Sequence, residues 1–336
     1  MKKFNSFLAG SFMLSASLFL FSCKKQVSHP LTDDVAASLS LEANNENMCR
    51  AVLFGVYAER NNGENEWTTF AQKWYAGGRL LNLKAQTGGP GYSSLSGIET
   101  PQNLEWGEMI YEGNQVYLRD VLNNRTVMRV TLDDQGRPAA SYYHNITAHN
   151  SYMKDTTYYY YTGSRLDSIV RFYETFLYPP RAVKGWDKFK FVYDSYGNMT
   201  MMDGFHNIRR NLFYDYTKPV TGVISDVYLT NSFKIMEYMD LVKIPMHHAL
   251  VVTQWGYFLG PPRAGEFHII LRNEYQDYTI SDGRVHSYVI DYGSSKYTFY
   301  NGWECEAGTP GQELLYRQKN TISSLGQFLE AYPVSQ

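Results

Sequence analysis

Along most of the chain, apolar and polar residues alternate one by one, the period of a strand whose two faces meet different surroundings. In residues 188–193 (KFKFVY), Phe189, Phe191 and Tyr193 share one face, and Lys188, Lys190 and Val192 share the other. The stretch then meets Asp194-Ser195-Tyr196-Gly197-Asn198 and resumes over Met199–Met202. Aspartate folds its carboxylate onto the backbone two residues ahead, and glycine and asparagine tolerate the positive φ of a chain reversal. Related units recur. Met128, Val130 and Leu132 alternate ahead of Asp133-Asp134-Gln135-Gly136-Arg137, and Tyr158–Tyr161 leads into Thr162-Gly163-Ser164-Arg165 and then Ile169–Tyr173. Phe267, Ile269, Leu271 and Tyr275 precede Ser281-Asp282-Gly283-Arg284, followed by His286, Tyr288, Ile290 and Tyr292.

Short polar turns between alternating runs predict neighbours that pair antiparallel, with no long crossovers. The expected fold is mainly β: an antiparallel meander of hairpins over roughly residues 104–304, forming an open or curved sheet. Three segments interrupt it, namely 87–97 (TGGPGYSSLSG), 177–185 with Pro179-Pro180, and 260–265 (GPPRAG). Proline removes a ladder donor and does not suit a central strand. Two segments carry helical spacing instead. Met48, Val52 and Val56, with Cys49, Leu53 and Tyr57 beside them, predict a short N-terminal helix capped by Asn45 or Asn47. Ile322, Leu325, Phe328 and Leu329 predict a closing C-terminal helix or an amphipathic end.

Composition supports sheet. Aromatic residues make up 16% of the 336-residue chain, and 29 of them are tyrosines, whose rings pack across strands while the hydroxyl reaches water. The net charge of −2 lacks the basic footprint of a nucleic-acid binder.

The turn Tyr193-Asp194-Ser195-Tyr196-Gly197-Asn198 resembles the YD repeats of Rhs-type and teneurin proteins, whose motif runs tyrosine-aspartate, two residues, glycine, then Arg or Asn. The other units match in the glycine-polar turn and the aromatic strands. Their irregular spacing and short total length resemble the YD-like meanders of uncharacterised secreted lipoproteins from Bacteroidetes-type bacteria more than a closed toxin shell. That resemblance implies an antiparallel fold and a cell-envelope setting. It implies no activity.

The N-terminus agrees with that setting. Lys2 and Lys3 precede an apolar run from Phe7 to Phe21, the arrangement of a secretory leader. The run ends in Leu20-Phe21-Ser22-Cys23, which resembles the lipobox of bacterial lipoproteins, although Phe21 departs from the smaller residue usual there. This resemblance implies a signal peptide over 1–22 and acylation of Cys23; the polar stretch that follows predicts a flexible tether within 23–45, ahead of a β-rich domain over 46–336. The membrane is then a partner through the lipid anchor, with the outer membrane the expected location. Cys49 and Cys305 either pair in an oxidising compartment or stay as two separate buried thiols.

Candidate chemistry is sparse. His247-His248 are adjacent, so on a strand they point to opposite faces. His144 and His149 have no Cys or Glu at ligand spacing, and no metal or other cofactor is expected. Glu105 and Glu108 flank Trp106 and would suit a glycan-active enzyme only if both reached one cleft. The leading expectation is a non-catalytic envelope lipoprotein acting as a β platform, with a protein or glycan partner and no nucleic acid. Trp186, Trp255 and Trp303 are its candidate binding residues, each with core packing as the alternative role. A glycan-active enzyme, and a carrier or chaperone for apolar cargo, are the competing readings.

Overall fold

The computed structural model describes residues 49–60, 62–76, 79–87, 103–146, 152–177, 181–205, 208–220, 230–258, 267–291, 295–305 and 322–333. The chain divides into two compact units, 1–44 and 45–336. The first lies wholly outside the described residues, so the expected leader, Cys23 and the tether lie outside them too.

The second unit is a sixteen-strand antiparallel barrel. Its first eight strands are β1 Cys49–Arg60, β2 Asn65–Ala76, β3 Arg79–Gln86, β4 Asn103–Glu112, β5 Gln115–Asp120, β6 Arg125–Leu132, β7 Pro138–Ile146 and β8 Tyr152–Thr162. The second eight are β9 Arg165–Leu177, β10 Arg181–Tyr193, β11 Met199–Phe205, β12 Ile208–Pro219, β13 His248–Phe258, β14 Phe267–Ser281, β15 Arg284–Asp291 and β16 Ser295–Cys305. Each strand pairs with its sequence neighbours, and β1 pairs with β16 along its whole length, from Cys49↔Cys305 to Arg60↔Ser295.

That last pairing overturns the open or curved sheet. An open meander leaves two edges of unpaired N–H and C=O groups, and joining first strand to last removes both. The N-terminal helix is also overturned: Cys49, Val52 and Val56 lie in β1. In that strand β-branched and aromatic residues face a packed core, and pairing with both β2 and β16 satisfies the backbone, so tertiary context overrides the fourfold spacing. The strands also begin at Cys49, well before residue 104.

Two short helices complete the described structure. Helix α1, Asn231–Tyr238, lies in the connection from β12 to β13. Thr230 caps it by accepting from the Phe233 amide, and every one of its residues is buried. Phe233 lies tilted against Phe191 of β10 at 6.4 Å, while Asp240 just beyond the helix pairs with Lys73 of β2 at 2.6 Å and accepts from Tyr75. β2 and β10 lie eight strands apart around the ring. A single short segment touches both only by crossing the lumen. Inward side chains around the barrel, including Val52, Leu83, Leu118, Phe189 and Tyr288, join Phe233, Ile235 and Met236 in one apolar cluster. The barrel is packed, not hollow, where the helix crosses it.

Helix α2, Leu325–Ala331, lies on the opposite, outer face at the β1–β16 seam. Phe328 inserts between Trp67, Tyr300 and Tyr332, with ring centroids 5.3–5.4 Å apart. The segment is pinned to β2, since Thr69 Oγ1 donates to the Ile322 carbonyl at 2.6 Å and the Ile322 amide donates to Gln72 Oε1 at 3.4 Å. Cys49 and Cys305 form a disulfide at the end of the same seam.

Candidate functional site

Among the described residues, groups that do more than pack gather at the rim turns, in the polar part of the lumen and on a bare strip of the outer wall.

At the rim that joins β6 to β7 and β10 to β11, the same turn is built twice. Asp133 Oδ1 accepts from the amides of Gln135 and Arg137, and its Oδ2 accepts from the Arg137 guanidinium. Asp194 repeats this with the amides of Tyr196 and Asn198 and with Asn198 Nδ2. Gly136 and Gly197 supply the positive φ, +76° and +84°, that the reversal needs. For Asp133 the Arg137 hydrogen bonds come first and hold the carboxyl below its usual range. At Asp194 burial alone would push the pKa up, but bonds from Asn198, Tyr216 and two amides outweigh it and lower it.

These turns also lock to their neighbours. Arg137 lies 4.3 Å over the Tyr161 ring and donates to the Gly163 carbonyl, and Arg165 lies 5.2 Å over Tyr193. The arginine that closes one hairpin therefore clamps the tyrosine that opens the next. Asn198 fixes the segment that follows the lumen helix. Its Oδ1 accepts from the His247 amide at 2.6 Å, and its Nδ2 faces His248 Nδ1 at 3.1 Å. His248 sits against Tyr196 and Tyr216. No metal-holding cluster occurs among the described residues.

Away from that rim, the inward faces of β8, β9 and β10 turn polar. Arg171 is 2% exposed; its Nε lies 3.2 Å from Asp155 and its Nη1 4.0 Å from Asp187. Nη2 contacts Met153 Sδ at 3.4 Å, and the guanidinium covers the Tyr173 ring. Tyr173 lies over Gly185, where any Cβ would meet its hydroxyl at 2.5 Å. Glycine at that position makes room for the ring that supports Arg171.

The outer face of the same strands is different in kind. Register sets its side chains in rows: Lys154–Glu174–Lys184, then Thr156–Phe172–Trp186, then Tyr158–Val170–Lys188, then Tyr160–Ser168–Lys190. Trp186 is 65% exposed, Phe172 51% and Tyr158 42%, with the last two rings edge to face at 6.3 Å. Glu174 accepts from Tyr152 at 2.6 Å and pairs with Lys184 at 3.3 Å; the tyrosine bond, then the lysine, hold it below the usual carboxylate range.

The three candidate tryptophans thus have separate fates. Trp186 stands out from the wall. Trp303 is partly buried and donates to the Val285 carbonyl at 3.0 Å, a packing role. Trp255 pairs by register with Arg210 and Leu271 on β12 and β14, and its side chain lies outside the described residues. Glu105 and Glu108 are both exposed on β4, and Glu105 pairs with Lys84 at 3.2 Å. His144 packs between Tyr142 and Tyr152, and His149 lies outside the described residues. The sequence reading did not find Arg171, Asp155 and Asp187. Their only signal is a charge at a position whose neighbours in the alternation point inward.

No known family model and no curated protein matches the chain. Among solved structures, a porin-like protein from Bacteroides uniformis shares 12% identity, covering 75% of this chain and 97% of its own, with a TM-score of 0.43. A TcdB2-TccC3 assembly shares 8% identity over 74% of this chain and 18% of its own, with a TM-score of 0.18. Neither likeness is close enough to carry an argument. The resemblance to YD and Rhs-type repeats finds no support in these comparisons, and the closed barrel conflicts with a repeat sheet.

Proposed function

We propose that this protein is a lipid-tethered envelope protein whose barrel is a water-facing binding platform, neither a pore nor a catalyst. The carrying observation is the segment that crosses the lumen from the β10 side to the β2 side and packs there into one apolar core. Barrels of 16–18 strands that conduct solutes keep an aqueous channel, whereas here a helix and large side chains occupy that space. The same filling argues against a carrier that encloses apolar cargo.

The outer wall supports the water-facing reading. A lipid-facing wall presents a continuous apolar band, and each Lys or Arg at its midplane costs about 2–4 kcal/mol. Four lysines, Lys154, Lys184, Lys188 and Lys190, point outward from β8 and β10 alone. Attachment to the membrane is assigned to acylation of Cys23, and binding to the exposed Trp186, Phe172 and Tyr158.

Expression from Lys24 onward, without leader or acyl group, tests this reading. The expected product is monodisperse in buffer free of detergent and gives no conductance steps in a planar bilayer. A requirement for detergent, or stepwise conductance, would overturn it. Mass spectrometry of the full chain from an envelope fraction reads the acylation of Cys23 directly.

A further inference from the structure

The outer strip of β8–β10 combines two properties. Its aromatic side chains are uncovered, and its charge opposes that of the molecule. Lys154, Lys184, Lys188 and Lys190 stand against the single carboxylate of Glu174 in these rows, in a chain of net charge −2. Only Lys184 of the three β10 lysines forms an ion pair among the described residues. On the far side of the barrel, by contrast, the chain covers its own outward aromatics with α2.

We propose that this strip docks on the surface of an anionic phospholipid bilayer, laying the wall of β8–β10 against the headgroups. Trp and Tyr settle at the headgroup level because one end of each ring system is apolar and the other polar. Lysine stems lie along apolar surface while the ammonium reaches outward to phosphate. Lys184, Lys188 and Lys190 flank Trp186 on one strand face, so cations and ring reach the same plane. Each lysine near an anionic surface contributes about 1 kcal/mol, screened by salt. This inference deepens the binding-platform reading and rests on it; the tether would hold the protein near the surface that the strip recognises.

Vesicle sedimentation tests it with the chain from Lys24 onward, which contains the whole barrel unit. The vesicles are phosphatidylcholine alone and phosphatidylcholine mixed with phosphatidylglycerol. The expected result is sedimentation with the anionic vesicles only, weakening as salt rises. The triple variant K184E/K188E/K190E should lose about a hundredfold or more in affinity, from three contributions of about 1 kcal/mol each, and Trp186→Ala should weaken binding at unchanged Tm. Sedimentation that ignores both variants, or no binding to either vesicle, would overturn the proposal. Retention by a soluble anionic polysaccharide with no vesicle binding would also overturn it, and would assign the strip to a glycan. The sample has no acyl chain, so a wrong assignment of Cys23 leaves this result untouched. Conductance is read separately, so a failed pore test and a failed docking test stay distinct.

Discussion

The chain treats two aromatic outer faces of the barrel in opposite ways. At the β1–β16 seam, Leu53, Trp67 and Tyr300 lie under Ile322, Phe328 and Tyr332 and form a small core of their own. On β8–β10, about half the ring away, Trp186, Phe172 and Tyr158 stay open. The seam is where first and last strands meet, the pairing with the greatest sequence separation and therefore the largest loop to close. A cover, a disulfide and a full ladder converge there. The β8–β10 wall is built from consecutive hairpins and closes locally. It is held from inside by the Arg171 network and from the rim by clamped turns, so its outer face is free for other work.

Perturbing the seam should have the largest effect. Replacing Cys49 and Cys305 with serine releases a crosslink spanning 256 residues, and loop-entropy reasoning gives a loss of up to about 5 kcal/mol, measured by guanidinium unfolding under oxidising conditions. Phe328→Ala should cost about 3 kcal/mol, because the ring is fully buried among Trp67, Tyr300 and Tyr332. If that loss is below about 1 kcal/mol, α2 is not a true cover and the contrast between the faces fails.

A smaller loss is expected at the rim. Asn198→Ala removes an acceptor from the His247 amide and a partner from Asp194, for about 1–3 kcal/mol in the same unfolding assay. The turns should also give a pH signature. Asp133 and Asp194 have folded pKa values below their ordinary ones, so their contribution is complete above the unfolded pKa and is lost as pH falls through the folded pKa. Acid titration of stability should therefore steepen below the ordinary carboxylate range, and D133N with D194N should flatten that limb. The smallest effect belongs to the bare face. Trp186→Ala should change stability by no more than about 0.5 kcal/mol, as at other exposed positions. A larger loss would show that the strip is part of the fold and not an open surface.

The alternation in 188–193 and the turns at Asp133, Gly163, Asp194 and Asp282 determine strands, hairpins and antiparallel pairing, because these follow from the two-residue side-chain period and from φ > 0 corners within a few residues. The C-terminal helix around Phe328 was also legible, as helical spacing in the tail, but the aromatics it covers were not. Closure was not. Nothing in the alternation of β1 or β16 says whether a strand is an edge or has a second partner, since both cases place the same residues on the same faces. The lumen helix was equally hidden, because Asn231–Tyr238 carries Lys234 and Glu237, charged residues whose burial shows only in their 2.8 Å pairing inside the barrel. The same holds for Arg171, whose partners Asp155 and Asp187 sit 16 residues away on either side and meet it only through register. Short-range pattern therefore set the hairpins. Which edges joined, what filled the lumen and which aromatics stayed uncovered were decided by contacts between residues far apart in the chain.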